Sequence, residues 1–307
     1  MKSVLLIIKA TIIGAILYYI IQFAIDSYQK FPSGQLNINY YLFGFAIFLG
    51  LLATFNYSLI WHYITLKNQC SISVKSDAII WFLAEMGKFI PGKIFLIAGK
   101  LYFYNKAGKS KTKIAFCFYV EILCSSIAAL LIFLLSLILS DLEMLNQFRV
   151  IAVLLVLMMF IMIYPRLVER TSNYLLRFLG KPPIIFELQY HHLLQIIILY
   201  TINFVIFGSG LYFLISSVYP LSPSHIPYVS GSFAMAGIIG MISLFAPSGV
   251  GVREGVLIFA LKMIVPDFIA ALSSVLARVW ATGAELILVL LVLAYIRFAK
   301  LNFSLKQ

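Results

Sequence analysis

Seven long apolar runs constrain the fold of this chain more than any other feature of its sequence. They cover residues 4–25, 40–64, 114–140, 148–164, 193–217, 227–246 and 268–297. A helix that crosses a bilayer needs about 20 mostly apolar residues, so each run predicts a membrane span. Only 11% of the residues are charged, against about 25% in soluble domains. We therefore expect an all-α integral membrane protein, and the formal charge of +12 does not indicate a soluble nucleic-acid-binding protein.

Two further apolar segments, 76–104 and 247–265, are interrupted by charges, glycines and a proline. The loops 105–113 and 165–192 and the C-terminal tail are rich in Lys and Arg, which places them on the cytoplasmic side. This orientation requires 76–104 to enter and leave from the cytoplasm as a re-entrant hairpin, and 252–264 to cross as a short helix. The sequence thus predicts about eight crossings plus one hairpin, with both termini cytoplasmic.

The chain is interpreted as one membrane domain, 1–307, made of two halves. The halves are 1–164 and 193–307, and the cytoplasmic linker 165–192 joins them. Each half offers two spans, then an interrupted segment, then a further span. Interrupted segments at corresponding positions of two halves indicate a transporter's binding site. Because the halves share little residue identity, a repeat and a coincidence are both open explanations.

Charged residues inside the apolar segments are the candidate functional groups. Six are basic and four acidic: Lys88, Lys93, Lys100, Arg253, Lys262, Arg278, Glu85, Glu121, Glu254 and Glu285. An ionised side chain at the bilayer centre costs from about 2.5 to more than 10 kcal/mol, so such residues pair, line water or reach an interface. The positive surplus suits a phosphate better than a cationic headgroup. We expect no metal and no cofactor, because no CxxC motif and no histidine at metal-ligand spacing is present.

The first interrupted segment predicts an anion-binding hairpin tip. Glu85 and Lys88 are three residues apart and can pair on one helix face. Pro91 ends that helix, and Lys93 and Lys100, seven residues apart, share a face of the returning helix. Three lysines against one carboxylate leave positive charge for an anionic headgroup, with Lys88 and Lys93 as its candidate ligands. The alternative is that Lys93 and Lys100 extend to the cytoplasmic interface.

The second interrupted segment predicts a phosphate site at a helix N-terminus. Gly249 and Gly251 directly precede Arg253 and Glu254. Glycines ahead of a helix leave backbone N–H groups free, and the helix dipole adds partial positive charge. Arg253 can bind a phosphate with two parallel hydrogen bonds. The alternative is a structural hinge in which Arg253 and Glu254 pair with other helices.

A polar stripe runs along the last predicted helix. It is formed by Ser274, Arg278, Thr282 and Glu285. Arg278 and Glu285 lie about 10.5 Å apart along the axis, too far to pair with each other. We expect Arg278 to pair with Glu254 and Glu285 to pair with a lysine. A ligand contact and a structural ion pair are equally open for Arg278, whereas a structural pair is favoured for Glu285 and Glu121.

The interrupted segments carry two distinctive motifs. These are Gly-Lys-Phe-Ile-Pro-Gly-Lys at 87–93 with Ala-Gly-Lys at 98–100, and Ala-Pro-Ser-Gly-Val-Gly-Val-Arg-Glu-Gly at 246–255 with Ala-Arg at 277–278. In order and spacing they resemble the transmembrane family of lysylphosphatidylglycerol synthases, often called the flippase-like family. In the bifunctional members the membrane part moves an aminoacylated lipid between leaflets, and a soluble domain makes that lipid. The resemblance implies translocation here, and we expect a stand-alone member without the aminoacyl-transfer domain.

Together these inferences predict a lipid translocase of the bacterial inner membrane that serves envelope lipid or polysaccharide biogenesis. Its substrate would be an anionic phospholipid or a polyprenyl-phosphate-linked glycolipid, and its basic loops would meet the anionic lipids of the inner leaflet. Lys88, Lys93 and Arg253 would contact phosphate, and the 249–251 backbone would surround it. We expect neither an enzyme nor a nucleic-acid partner. Two alternatives stay open: a membrane-embedded transferase acting on a lipid carrier, and a non-transporting scaffold of an envelope synthesis complex.

Overall fold

The computed structural model describes residues 38–89, 94–139, 149–162, 189–243 and 249–298, with a few isolated positions outside these ranges. Within them the chain is helical and forms no β-strand, which confirms the predicted all-α class. Most of the first predicted span, most of the predicted linker, and Lys93 lie outside the described residues.

Nine α-helices occur in the described ranges. They are α1 (Tyr40–Lys67), α2 (Val74–Glu85), α3 (Ile94–Lys106), α4 (Lys111–Leu139), α5 (Arg149–Met162), α6 (Tyr190–Ser216), α7 (Ile226–Ile242), α8 (Val252–Leu261) and α9 (Asp267–Phe298). Short 3-10 turns, Met86–Phe89 and Pro223–His225, follow α2 and precede α7. By length and composition α1, α4, α6, α9 and the Pro223–Ile242 segment suit membrane spans. Five of the predicted spans are thereby confirmed as long apolar helices, while the total of about eight crossings stays a prediction.

The long helices pack through small residues. α1 lies along α6, α7 packs on both α4 and α6, and α9 contacts α1 and α6. The indole of Trp280 on α9 fills the space beside Gly50 and Gly210, where an added Cβ would approach its ring atoms to 2.7 Å. Its Nε1 donates a hydrogen bond of 2.9 Å to the Ala46 carbonyl. Close backbone approach at small residues is the usual packing mode of membrane helices, in which burial of apolar surface adds little.

Two short helices, α2 and α3, form the predicted hairpin. They contain 12 and 13 residues and rise about 18 and 20 Å, well below the roughly 30 Å of a hydrocarbon core. The two helices pack on each other. At the turn, a Cβ on Gly87 would lie 2.6 Å from the Leu96 nitrogen, so glycine permits the close approach of the two arms. This geometry agrees with a re-entrant segment.

The short helix of the second interrupted segment is shorter than expected. α8 has 10 residues and ends at Leu261, whereas the sequence predicted a helix to residue 264. The chain turns after Leu261 because the N–H groups of Met263 and Ile264 bond to carbonyls three residues back, before Asp267 starts α9. The helix therefore rises only about 15 Å.

Candidate functional site

Helix α9 is joined by ion pairs to both interrupted segments. Arg278 Nη1 lies 3.0 Å from Glu254 Oε1 on α8, and Glu285 Oε1 lies 2.6 Å from Lys88 Nζ after α2. Both expected partnerships of the polar stripe are confirmed. The stripe begins with Ser274, whose hydroxyl donates to the Glu254 carbonyl at 3.0 Å.

Lys88 is shared between two carboxylates. Besides Glu285, its Nζ lies 3.5 Å from Glu85 Oε2 in the predicted i,i+3 arrangement. All three side chains are at most 22% exposed. The two carboxylates belong to different elements, since Glu85 ends α2 and Glu285 lies on α9. Lys88 thus ties the hairpin to α9.

Lys100 forms a separate and deeper ion pair. Its Nζ lies 2.6 Å from Glu121 Oε2 on α4, and the lysine side chain is 0% exposed. The ammonium also lies over the ring of Trp61, 3.9 Å from the centroid, while Trp81 Nε1 donates to Glu121 Oε1 at 3.0 Å. The alternative interpretation, in which Lys100 extends to the interface, is therefore wrong. The structural pair favoured for Glu121 is present.

The N-terminus of α8 has the glycine geometry that the sequence indicated. Gly249 and Gly251 have φ of +70° and +84°, in the left-handed region that L side chains rarely adopt. A Cβ on Gly249 would also lie 2.7 Å from the Gly240 Cα on α7. The backbone N–H of Gly251 is not free, however, because it donates to Glu254 Oε2 at 2.6 Å. The Glu254 carboxylate thus occupies the position where the sequence predicted a phosphate. Both are anions, and the partial positive charge at a helix N-terminus attracts either one.

Arg253 differs from the other cations of the site. Its guanidinium lies 4.7 Å from the centroid of the Phe233 ring on α7. Within the described ranges Arg253 makes no ion pair or hydrogen bond, although it lies within electrostatic range of Arg278, Glu254 and Glu285. The hinge alternative, in which Arg253 and Glu254 pair with other helices, holds for Glu254, which pairs with Arg278 on α9. Arg253 has no such pair among these residues.

Lys262 does not belong to this charge network. It follows the end of α8 and lies 3.4 Å from Asp267 Oδ2, with both side chains exposed. Lys93, another base of the predicted set, lies outside the described residues. The described part of the network contains four bases and four acids: Lys88, Lys100, Arg253, Arg278, Glu85, Glu121, Glu254 and Glu285.

A second polar cluster, centred on Asp77, was missed by the sequence analysis. Asp77 lies in the first turn of α2 and is fully buried. Its two carboxylate oxygens bond to His62 Nδ1 at 2.7 Å, Ser71 Oγ at 2.7 Å, Thr65 Oγ1 at 3.1 Å, Tyr104 Oη at 2.7 Å and the Ile72 N–H at 3.2 Å. These donors come from α1, the loop after it, and α3. The cluster therefore holds the base of the hairpin to α1.

The fold and the site define a class: a polytopic helical membrane protein in which a network of acidic and basic side chains joins two interrupted segments to one long helix. Residues 6–292 match the family described as the lysylphosphatidylglycerol synthase TM region, and the chain belongs to that family. The match confirms the resemblance seen in the two motifs and fits a lipid-related role in the membrane. No curated protein matches the chain.

Proposed function

We propose that this protein is a lipid translocase, not an enzyme, of the bacterial inner membrane. Its substrate is an anionic phospholipid or a polyprenyl-phosphate-linked glycolipid, used in envelope lipid or polysaccharide biogenesis. The headgroup enters between the hairpin and α8 while the acyl or prenyl tail stays in lipid. Both termini lie in the cytoplasm, and the basic loops contact anionic inner-leaflet lipids.

One observation carries this proposal: among the described residues, Arg253 is a cation without a carboxylate partner inside a network of paired charges. Lys88, Lys100 and Arg278 each contact a glutamate, whereas Arg253 contacts the face of an aromatic ring. A guanidinium held this way keeps its planar donors available for an anion. Phosphate is the lipid headgroup component whose oxygens match those donors in pairs.

The other proposed ligands must change partners to reach a phosphate. Lys88 is bound by Glu85 and Glu285, and the Gly251 N–H is bound by Glu254. In the proposed cycle a headgroup first meets Arg253, then replaces Glu285 at Lys88 and Glu254 at the Gly249–Gly251 turn. Glu254 and Arg278 hold α8 to α9 between turnovers.

The direct test is translocation of fluorescent phosphatidylglycerol and of a polyprenyl phosphate in proteoliposomes made with the full chain. Arg253→Ala should slow transport by about 10- to 100-fold, because a hydrogen bond to a charged group contributes about 1.5–3 kcal/mol. Arg253→Lys should transport at a rate between those of the wild type and Arg253→Ala, since it keeps the charge and loses the paired donors. Arg297, exposed near the end of α9, provides the control: Arg297→Ala should transport at the wild-type rate.

Two outcomes would contradict the proposal in different ways. If Arg253→Ala moves both lipids as fast as the wild type, the assignment of the site to Arg253 is wrong. If the wild-type protein moves neither lipid, the translocase function itself is wrong. Formation of a modified lipid by the purified protein with a donor substrate would instead support the transferase alternative.

A further inference from the structure

The Glu85–Lys88–Glu285 triad carries one negative charge more than it can neutralise by itself. One ammonium lies 2.6 Å from Glu285 and 3.5 Å from Glu85. Two carboxylates around one cation leave a formal −1 in a largely buried place. Such a charge is strongly unfavourable unless another group compensates for it.

Arg253 on α8 can supply the compensating charge. It lies within electrostatic range of both Lys88 and Glu285, and its own +1 has no carboxylate partner among the described residues. The formal charges of the triad and of Arg253 therefore balance each other. Binding of any anion to Arg253 removes that balance.

Among the described residues, the other groups that face the triad add no net charge. Lys100 on α3 and Glu121 on α4 both lie within electrostatic range of Glu85, but they neutralise each other in their own ion pair. From α1 and α6 come the phenols of Tyr57 and Tyr200, which are uncharged near neutral pH.

The Glu254–Arg278 pair, between α8 and α9, is also neutral, and α7 faces Arg253 with the uncharged ring of Phe233. No described neighbour of the triad can thus absorb the charge of a bound phosphate.

We infer that the triad binds one proton together with each anionic headgroup, so that the site takes up lipid phosphate and H⁺ as a pair. This inference rests on the proposed translocase function and names its coupling ion. The proton comes from water and binds Glu285. Lys88 Nζ then leaves Glu285 and turns to a phosphate oxygen.

Glu285 is the acceptor because of where the two carboxylates lie. Glu85 is three residues before Lys88 in the same segment, so it moves together with Lys88. Glu285 belongs to α9 and stays there when Lys88 moves away. Since Lys88 ties the hairpin to α9, the same proton also releases that tie. Headgroup binding and hairpin release thereby become one linked step.

The test is calorimetric binding of short-chain phosphatidylglycerol to the purified full chain, in buffers of different ionisation enthalpy. The expected result is uptake of about one proton per lipid, with affinity rising up to about tenfold for each pH unit lowered between about pH 8 and 5.5. The sign follows from linkage: a complex that holds one more proton than the free protein is favoured by acid. The phosphodiester keeps one negative charge through this range.

Two variants make the result specific to the triad. Glu285→Gln and Glu85→Gln each leave Lys88 with a single carboxylate, so each should bind the lipid with no proton uptake and with the same affinity at every pH. Asp267→Asn removes an exposed carboxylate outside the network and should keep the wild-type uptake.

Three outcomes overturn the inference. Wild-type binding without proton uptake refutes the coupling and leaves the translocase proposal standing. Uptake that persists in both glutamine variants refutes the assignment to the triad. No binding of phosphatidylglycerol to the wild type contradicts the coupling and the proposed phosphate site together.

Discussion

Replacement of Asp77 by alanine should destabilise the protein more than any single change in its exposed charges. The carboxylate is fully buried and accepts from five groups, so its removal leaves donors of His62, Tyr104 and the Ile72 backbone without this acceptor. Each hydrogen bond to a charged group contributes about 1.5–3 kcal/mol. The hydroxyl donors can rotate to other partners, and we expect a net loss of about 3–5 kcal/mol, the range for breaking a buried charged pair.

The assay is reversible unfolding in mixed micelles, followed by circular dichroism. Asp267→Ala is the matched control, because it removes the same side chain from an exposed ion pair and should change stability by at most about 1 kcal/mol. The expected loss also predicts faster proteolysis in the loop between α1 and α2, which Ser71 and Ile72 tie to Asp77. A loss below about 1 kcal/mol for Asp77→Ala would show that the cluster does not hold the hairpin base.

Further substitutions test the interior in the same unfolding assay. Gly249→Ala should cost at least about 1–2 kcal/mol through its positive φ alone, whereas Gly255→Ala on α8, where an added Cβ meets nothing within 4 Å, should be neutral or stabilising. Lys100→Ala should cost about 3–5 kcal/mol, because it leaves the charge of Glu121 buried and unpaired. The double variant Lys100→Met with Glu121→Gln should recover most of that loss, because it removes both charges. Glu254→Gln keeps an oxygen for the Gly251 N–H but removes the charge beside the α9 arginine, and a loss of about 1–3 kcal/mol is expected.

The sequence predicted those features that the membrane itself imposes. Long apolar helices were placed within a few residues of their observed ends, because bilayer thickness fixes their length. The partners of Arg278 and Glu285 were also predictable, since a buried charge requires an opposite charge and the helical spacing excluded the two from pairing with each other. Helix spacing likewise gave the Glu85–Lys88 contact.

Features that depend on local geometry were not predictable in the same way. Asp77 lies beside Ser76 in a polar stretch, and its burial arises from contacts with α1 and α3 that no local pattern encodes. The one available signal was Ser73, a helix N-cap residue four positions earlier, which places Asp77 in a first turn. The sequence analysis also missed that the Glu254 carboxylate would accept a hydrogen bond from the Gly251 N–H. A glutamate three residues after the N-cap is the arrangement that allows this bond.

Helix α9 connects the two interrupted segments through separate ion pairs. Arg278 and Glu285 lie about 10.5 Å apart on one face, and each holds a different interrupted segment: α8 through Glu254 and the hairpin through Lys88. Each tie can therefore open while the other stays closed. A proton and a phosphate open the tie to the hairpin in the scheme inferred above, whereas the α8 tie opens only when an anion displaces Glu254. In the proposed translocase, two anion-sensitive ties on one shared helix would supply what alternating access requires: two elements that move separately, one shared support, and a ligand that changes the charge balance of both.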